Sequence, residues 1–310
     1  MMRYTISVSL ASLLLAAPAL AEVPRVVTDL PPVQSLVAQV MGDLGGPEVL
    51  LDRGGDPHSF QLRPSQARAL AQAGLVIWVG PEMSPWLARA LGEGAPQLRL
   101  AEVPGTHRQD YAGAGDHEDH DHDDGDGDAD HDHEDHDHTG LDPHLWLDPG
   151  NAALWLSAIA ADLGRLDPEH AATYAANAET ARLRLSALDA ELQAELAPVQ
   201  GQPFYVFHQA YGYFAGHYGL TIAGSISAGD AASPGAAHLA ELRADMAGTP
   251  RCIFPEGQHD PRLAAQIAAE TGARLGAPLD PEGSTLKPGP GLYETLMRGL
   301  ATTIRACVAP

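Results

Sequence analysis

The chain has 310 residues, with 18 Lys or Arg against 41 Asp or Glu, a formal net charge of -23 at pH 7, 45% hydrophobic residues and 2 cysteines. That length allows two domains of ordinary size, each with its own packed elements. The acidic balance excludes a nucleic-acid surface and an electrostatic grip on anionic lipid, and it directs attention to cationic ligands.

The chain opens MMRYTISVSLASLLLAAPALA: a basic start at Arg3, an apolar stretch from about Ile6 to Ala17, and the small-x-small pattern Ala19-Leu20-Ala21. This is the pattern of a secretory signal peptide covering residues 1–21, so export is expected. The apolar run falls short of the about 20 residues that a spanning helix needs, and no stable membrane insertion is expected. No Cys follows the expected cleavage point at Glu22, so the cue for a lipid anchor is missing.

Residues 22–166 read as an α/β lobe. A β-type run from Arg25 to Thr28 precedes a helical apolar face of Val33, Leu36, Val37 and Val40. Val49 to Leu51 follows as a strand, Pro64 opens a helix, and Leu75 to Val79 is a further strand. Alternating β and α runs imply a parallel sheet covered by helices. Between the second strand and the Pro64 helix lies GGDPHSFQLRPSQ, where Gly54, Gly55 and Pro57 make a turn-rich loop. His58 therefore stands at the carboxyl end of a parallel strand, the edge at which open α/β sheets bind ligands.

Within 113–140, the stretch Asp116 to His138 holds seven His, thirteen Asp or Glu, two Gly and one Ala. It has nothing with which to build a core, and a solvated, disordered loop is expected. Carboxylates alone would serve solubility, whereas interleaved imidazoles add ligands suited to zinc, copper and nickel. His117, His120, His122, His131, His133, His136 and His138 are read as weak accessory ligands that collect metal for a tighter site. That site begins with LDPHLWLDP, in which two Asp-Pro pairs bracket an apolar triplet and fix His144 between Pro143 and Leu145; Asp148 caps the next helix.

Asp167-Pro168-Glu169 carries helix-start chemistry. From Pro168 to Ala197 there is no Gly and no internal Pro, and Tyr174, Ala178, Ala181, Leu185, Leu188, Leu192 and Leu196 recur at steps of three and four. A helix over 167–198, roughly 45 Å long, is expected to join two lobes as a rigid connector.

Residues 199–310 repeat the alternation. Phe204 to Phe207, Leu220 to Ala223, Cys252 to Phe254 and a short run near Arg274 to Leu275 are strands. Helices follow Gln209, Pro234 and Pro261, and a last one runs from about Gly291 to Cys307. His208, in FYVFHQAYGYF, is the first polar residue after four β-formers and again leaves a strand at its carboxyl end. Glu256, in IFPEGQHDP, sits at another strand end and is expected to orient a ligand imidazole. Asp280, in APLDPEG, is a candidate ligand or a turn residue before Pro281. His107, His170, His217, His238 and His259 lack such punctuation and read as surface, loop or packing residues. Cys252 and Cys307, in an exported chain, read as a disulfide.

Three solitary imidazoles from two lobes, with a carboxylate or water as the fourth ligand, describe a tetrahedral Zn2+ site between the lobes. In these segments the chain resembles the periplasmic zinc-binding components of bacterial ABC importers, the ZnuA-type members of the cluster A-I solute-binding family. The resemblance rests on GGDPHSFQLRPSQ, on LDPHLWLDP with the His/Asp tract before it, and on FHQAYGYF, the long helix from Asp167, RCIFPE and LDPEG. It implies two Rossmann-like lobes joined by one rigid helix, and metal held in the cleft. It also implies a periplasmic, monomeric carrier that delivers zinc to an inner-membrane permease with a cytoplasmic ATPase. The family's three His ligands fall on His58, His144 and His208, and its Asp on Asp280. Manganese-binding relatives carry Glu where this chain has His208, so the resemblance implies zinc.

The chain departs from the family's usual Glu-Pro-Gln at Glu256 and from its usual Asp-Pro-Leu-Gly at LDPEG, which leaves Asp280 or water to complete the site. The competing readings are a manganese or iron carrier of the same family, a metal buffer that serves no transporter, and a zinc hydrolase. Against the hydrolase, no HExxH-type pairing sets a general base beside a ligand.

Overall fold

The computed structural model describes residues 23–92, 94–111, 140–227, 234–248 and 251–309. The expected signal peptide and the seven histidines of the tract lie outside the described residues.

The first half runs β1 (Val26–Thr28), α1 (Pro31–Met41), β2 (Glu48–Val49), α2 (Pro64–Ala71), β3 (Leu75–Trp78), α3 (Pro85–Ala90) and β4 (Gln97–Arg99). Its sheet has the order β2-β1-β3-β4. After α4 (Pro149–Leu166) and α5 (Ala171–Leu196) come β5 (Pro203–Val206), α6 (Gly212–Tyr218), β6 (Thr221–Ser225), α7 (Ala236–Met246), β7 (Cys252–Ile253), α8 (Arg262–Thr271) and β8 (Arg274–Leu275). These strands form a second sheet, β6-β5-β7-β8, and α9 (Leu292–Val308) follows. Every strand pairing is parallel. Helices α1 to α4 each begin on proline, whose missing N–H costs nothing in the first turn.

Successive strand residues point to opposite faces, and the two faces enter different cores. Leu75 and Ile77 join a central core, while Val76 and Trp78 face an outer cluster with Trp86 and Leu87. In the second sheet Phe204, Val206 and Cys252 point to the same central core, and Tyr205 and Ile253 to an outer cluster with Leu242 and Ile267. The two sheets thus share one apolar interior, filled by residues of α1, α4, α5, α6 and α9. On α5 the buried stripe is Tyr174, Ala178, Ala181, Leu185, Leu188, Leu192 and Leu196.

Helix α5 begins later than the Asp-Pro-Glu sequence suggests, and at about 1.5 Å per residue its 26 residues span about 39 Å. Asp167 does not cap it. Its buried carboxylate accepts from Tyr174 OH at 2.8 Å and lies 2.7 Å from His170 Nδ1, inside the tight turn that folds α5 back along α4. Asp148 does cap α4, accepting from Gly150 N at 2.7 Å. The expected disulfide is present: Cys252 of β7 is bonded to Cys307 in the last turn of α9, with 6.1 Å between their Cα atoms. Among the described residues no helix is long and apolar enough to cross a membrane.

Candidate metal centre

In each sheet the chain leaves the first strand toward one edge and then crosses to the other, opening a crevice at the carboxyl ends of β1 and β3 and of β5 and β7. His208 emerges just past β5, and Glu256 just past β7. His58 lies in the loop between β2 and α2, and His144 leads into a short 3-10 turn over Leu145–Leu147. The edge of the first sheet is held by Asp29 at the end of β1. Its buried carboxylate accepts from Leu30 N at 2.8 Å, Val79 N at 3.0 Å and Ser84 Oγ at 3.0 Å. Burial pushes its pKa up to about 6, against the pull of those three donors.

The loop carrying His58 is shaped by its own side chains. Asp56 accepts from His58 N at 2.8 Å and from Ser59 Oγ at 2.5 Å, and Trp86 Nε1 donates to Pro57 O at 2.7 Å. His144 is held more tightly: Asp142 Oδ1 accepts from its backbone N at 3.0 Å and lies 2.8 Å from its Nδ1. Gln109 Nε2 holds the second oxygen of Asp142 at 3.3 Å. His208 has the same arrangement, with Nδ1 2.7 Å from Glu256 Oε2, while Tyr211 OH donates to Glu256 Oε1 at 2.8 Å.

A carboxylate facing Nδ1 keeps the proton on that nitrogen and leaves the lone pair on Nε2. In His144 and His208 those two Nε2 atoms approach to 3.3 Å. Ligand nitrogens of His58, His144 and His208 all lie within 4.8 Å of one another. In a tetrahedral zinc site, ligand atoms about 2.0–2.1 Å from the ion stand about 3.4 Å apart, so the His144–His208 pair already has the spacing such an ion requires. His144 and His208 are sealed from solvent at 0% and 1% exposure, and His58 is partly exposed.

Asp280 does not join the three imidazoles. Its Oδ1 accepts from Ser284 N at 2.9 Å and its Oδ2 from Thr285 N at 2.9 Å and Thr285 Oγ1 at 2.6 Å, which makes it the organiser of a turn. A third carboxylate beside the cluster, after Asp142 and Glu256, is Glu282, fully buried, with Oε1 3.8 Å from His208 Nε2 and Oε2 accepting from Gln258 Nε2 at 2.7 Å. Gln258 also donates to Glu256 at 3.2 Å. Asp142, Gln258 and Glu282 are the members that sequence reasoning missed. For Asp142 and Gln258 the signal was spacing, since each lies two residues from His144 or Glu256 and can turn back onto it. The other described histidines stay outside the cluster: His107 pairs with Asp148, His217 with Asp189 and His238 with Ser225 O, while His259 stacks on Phe207.

The family model described as "Zinc-uptake complex component A periplasmic" matches residues 26–307. The chain belongs to this family, ZnuA. Among its ZnuA relatives, the high-affinity zinc uptake system protein of Paracoccus denitrificans is 55% identical over 308 residues, covering 94% of each chain. The protein of the same name from Brucella suis biovar 1 is 40% identical over 306 residues, covering 92% of this chain and 91% of its own. Among solved structures, a zinc-bound ZnuA deletion mutant superposes with a TM-score of 0.74 at 25% identity, covering 92% of this chain and 98% of its own. The laminin-binding protein Lmb of Streptococcus agalactiae shares the fold, with a TM-score of 0.72 at 23% identity over 91% of this chain and 99% of its own.

Proposed function

We propose that this chain is the zinc-capture component of an ABC importer. It binds Zn2+ as cargo between its lobes through His58, His144 and His208, and passes it to an inner-membrane permease served by a cytoplasmic ATPase. The observation that carries the reading is the convergence of three imidazole nitrogens within 4.8 Å, in a chain that belongs to the ZnuA family. An all-imidazole set suits zinc better than manganese, which favours carboxylates. The relatives named for high-affinity zinc uptake support the same cargo.

In this reading the protein works in the periplasm as a monomeric, non-catalytic carrier, with lobes 22–166 and 199–310 on either side of the connector 167–198. The tract histidines collect zinc weakly for the main site.

Competition titration of metal-free protein against a chromophoric chelator tests the proposal. One tight Zn2+ site is expected, with weaker Mn2+ binding. His58→Ala, His144→Ala and His208→Ala should each weaken zinc by more than the about 10–100-fold typical of losing a supporting partner. Tighter binding of manganese than of zinc, or full zinc affinity in all three variants, would overturn it. Ester or peptide turnover abolished by His208→Ala would replace the carrier with a hydrolase.

A further inference from the structure

We propose that the groove beside β8 receives a dithiol/disulfide oxidoreductase, and that Cys307 is the sulfur through which this partner makes and opens the Cys252–Cys307 bond. None of the three histidines is involved. The two sulfurs are unequally placed. Cys252, in β7, is 1% exposed and packed in the central core. Cys307, in the last turn of α9, is partly exposed and lines a surface groove of about 430 Å3 with Leu275, Gly276, Thr303 and Ala306. Thiol–disulfide exchange is an attack of a thiolate on one sulfur of a disulfide, so access decides which sulfur takes part. Approach from solvent leads to Cys307.

The groove suits a partner that carries its own reactive sulfur beside an extended segment. β8 is the outer strand of its sheet. Arg274 N donates to Arg251 O and Gly276 N to Ile253 O, both at 2.9 Å, so the N–H and C=O of Leu275 between them point away from the sheet. A partner's strand can pair with that edge. Leu275 is itself 46% exposed and offers apolar area next to the sulfur. In a chain of net charge -23, the groove's lining holds Arg274 and no carboxylate, which favours the approach of a thiolate.

The position of the bond in the chain sets the order of events. It joins residues 55 apart, and the sulfurs meet only once α9 has packed across β7. Cys252 is buried by then, so Cys307 makes the first bond. Its thiolate, having released a proton to solvent, attacks the partner's disulfide. A Cys307–partner bond forms, the partner's own S–S bond breaks, and its second sulfur leaves as a thiolate. The Cys252 thiolate then attacks Cys307 Sγ, which forms the native bond and expels the partner. Two electrons pass to the partner, which takes up two protons and departs as a dithiol. Reduction runs the same steps backwards, with Cys307 attacked and Cys252 as the leaving group.

The test uses the full-length mature protein with one cysteine at a time. The reagents are a chromogenic aromatic disulfide (dithiobis-nitrobenzoate) and an oxidised thioredoxin-fold CxxC protein. In folded protein, checked by circular dichroism, the thiol left in Cys252→Ser should react with the small disulfide at least about 10-fold faster than the thiol left in Cys307→Ser, and the two should react alike in urea. Leu275→Ser, added to Cys252→Ser, should slow the CxxC protein by about 10-fold, the loss of one apolar contact, and leave the small disulfide unaffected. Equal rates for the two folded thiols, or a faster Cys252, would overturn the assignment of Cys307. An unchanged CxxC rate in the Leu275→Ser protein, or equal slowing of both reagents, would overturn the groove as the docking surface. So would a dimer that Leu275→Ser dissociates with exchange unaltered, since the groove then serves a second copy. Should Cys252→Ser not fold, Cys252→Ala, which buries no hydroxyl, takes its place.

Discussion

In the proposed site, His144 and His208 would present Nε2 to the ion because a carboxylate stands behind each Nδ1. Asp142→Asn or Glu256→Gln keeps the shape but removes the charge, and the new amide can present N–H to Nδ1 and reverse the tautomer. Zinc affinity should fall by about 10–100-fold in each, read by competition titration; an unchanged affinity would mean the tautomer is fixed by something else. Asp29 gives a separate signature. Its pKa of about 6 in the fold lies above the ordinary 3.8, so between those values the folded state holds a proton that the unfolded chain has lost. Its contribution is complete below pH 4 and is lost as the pH rises to 6, by about 3 kcal/mol in all. Urea unfolding of wild type and Asp29→Asn from pH 4 to 7 should show the wild type losing ground by that order, and parallel curves would remove Asp29 as the cause. The three histidines were legible because glycines, prolines and strand ends isolate them. Glu282 was not, because nothing in LDPEG says which of two acids closes the turn and which faces the cluster.

At the level of elements, the strands and the stripe on α5 could be read directly, since a strand buried on both faces is a short apolar run and a helix buried on one face leaves a period in the sequence. Strand β4 left no such trace: it is a half-buried Gln-Leu-Arg at the sheet's edge, where no apolar alternation is required. The start of α5 was misjudged because Asp167 has cap chemistry but spends it on His170 and Tyr174. The disulfide is independent of the metal centre in this scheme. It ties β7 to α9 across 55 residues, a constraint of about 4 kcal/mol on the unfolded chain. The double variant Cys252→Ser/Cys307→Ser should therefore lose about 2–4 kcal/mol in urea unfolding while binding zinc nearly as tightly, because Phe254 N still bonds to Tyr205 O at 3.0 Å and keeps β5 and β7 in register. A collapse of zinc affinity without loss of stability would contradict this.

At the scale of the whole molecule, the shared interior decides how the lobes can move. Wide hinge opening would have to separate packed side chains of α1, α5 and α9, so changes between loaded and empty forms should be confined to loops. The tract is attached at a closed base: Tyr111 N donates to Gly140 O at 3.1 Å and Asp142 N to Gln109 O at 2.9 Å. Deleting Asp116 to His138 should leave that base and His144 intact, removing several weak zinc sites and sparing one tight one in equilibrium titration. Loss of the tight site would show that collection and capture are a single function.

The unequal burial of the three imidazoles bears on traffic. Of the three imidazoles in the proposed site, His144 and His208 are sealed and His58, though its Nε2 is buried, is the residue nearest solvent. If the proposed site holds zinc, the loop around His58 is then expected to be the side from which an ion arrives and departs. In the proposed carrier, loading and unloading would be one reaction run in opposite directions, and a receiving protein would need only to pull aside the loop around His58 to reverse it.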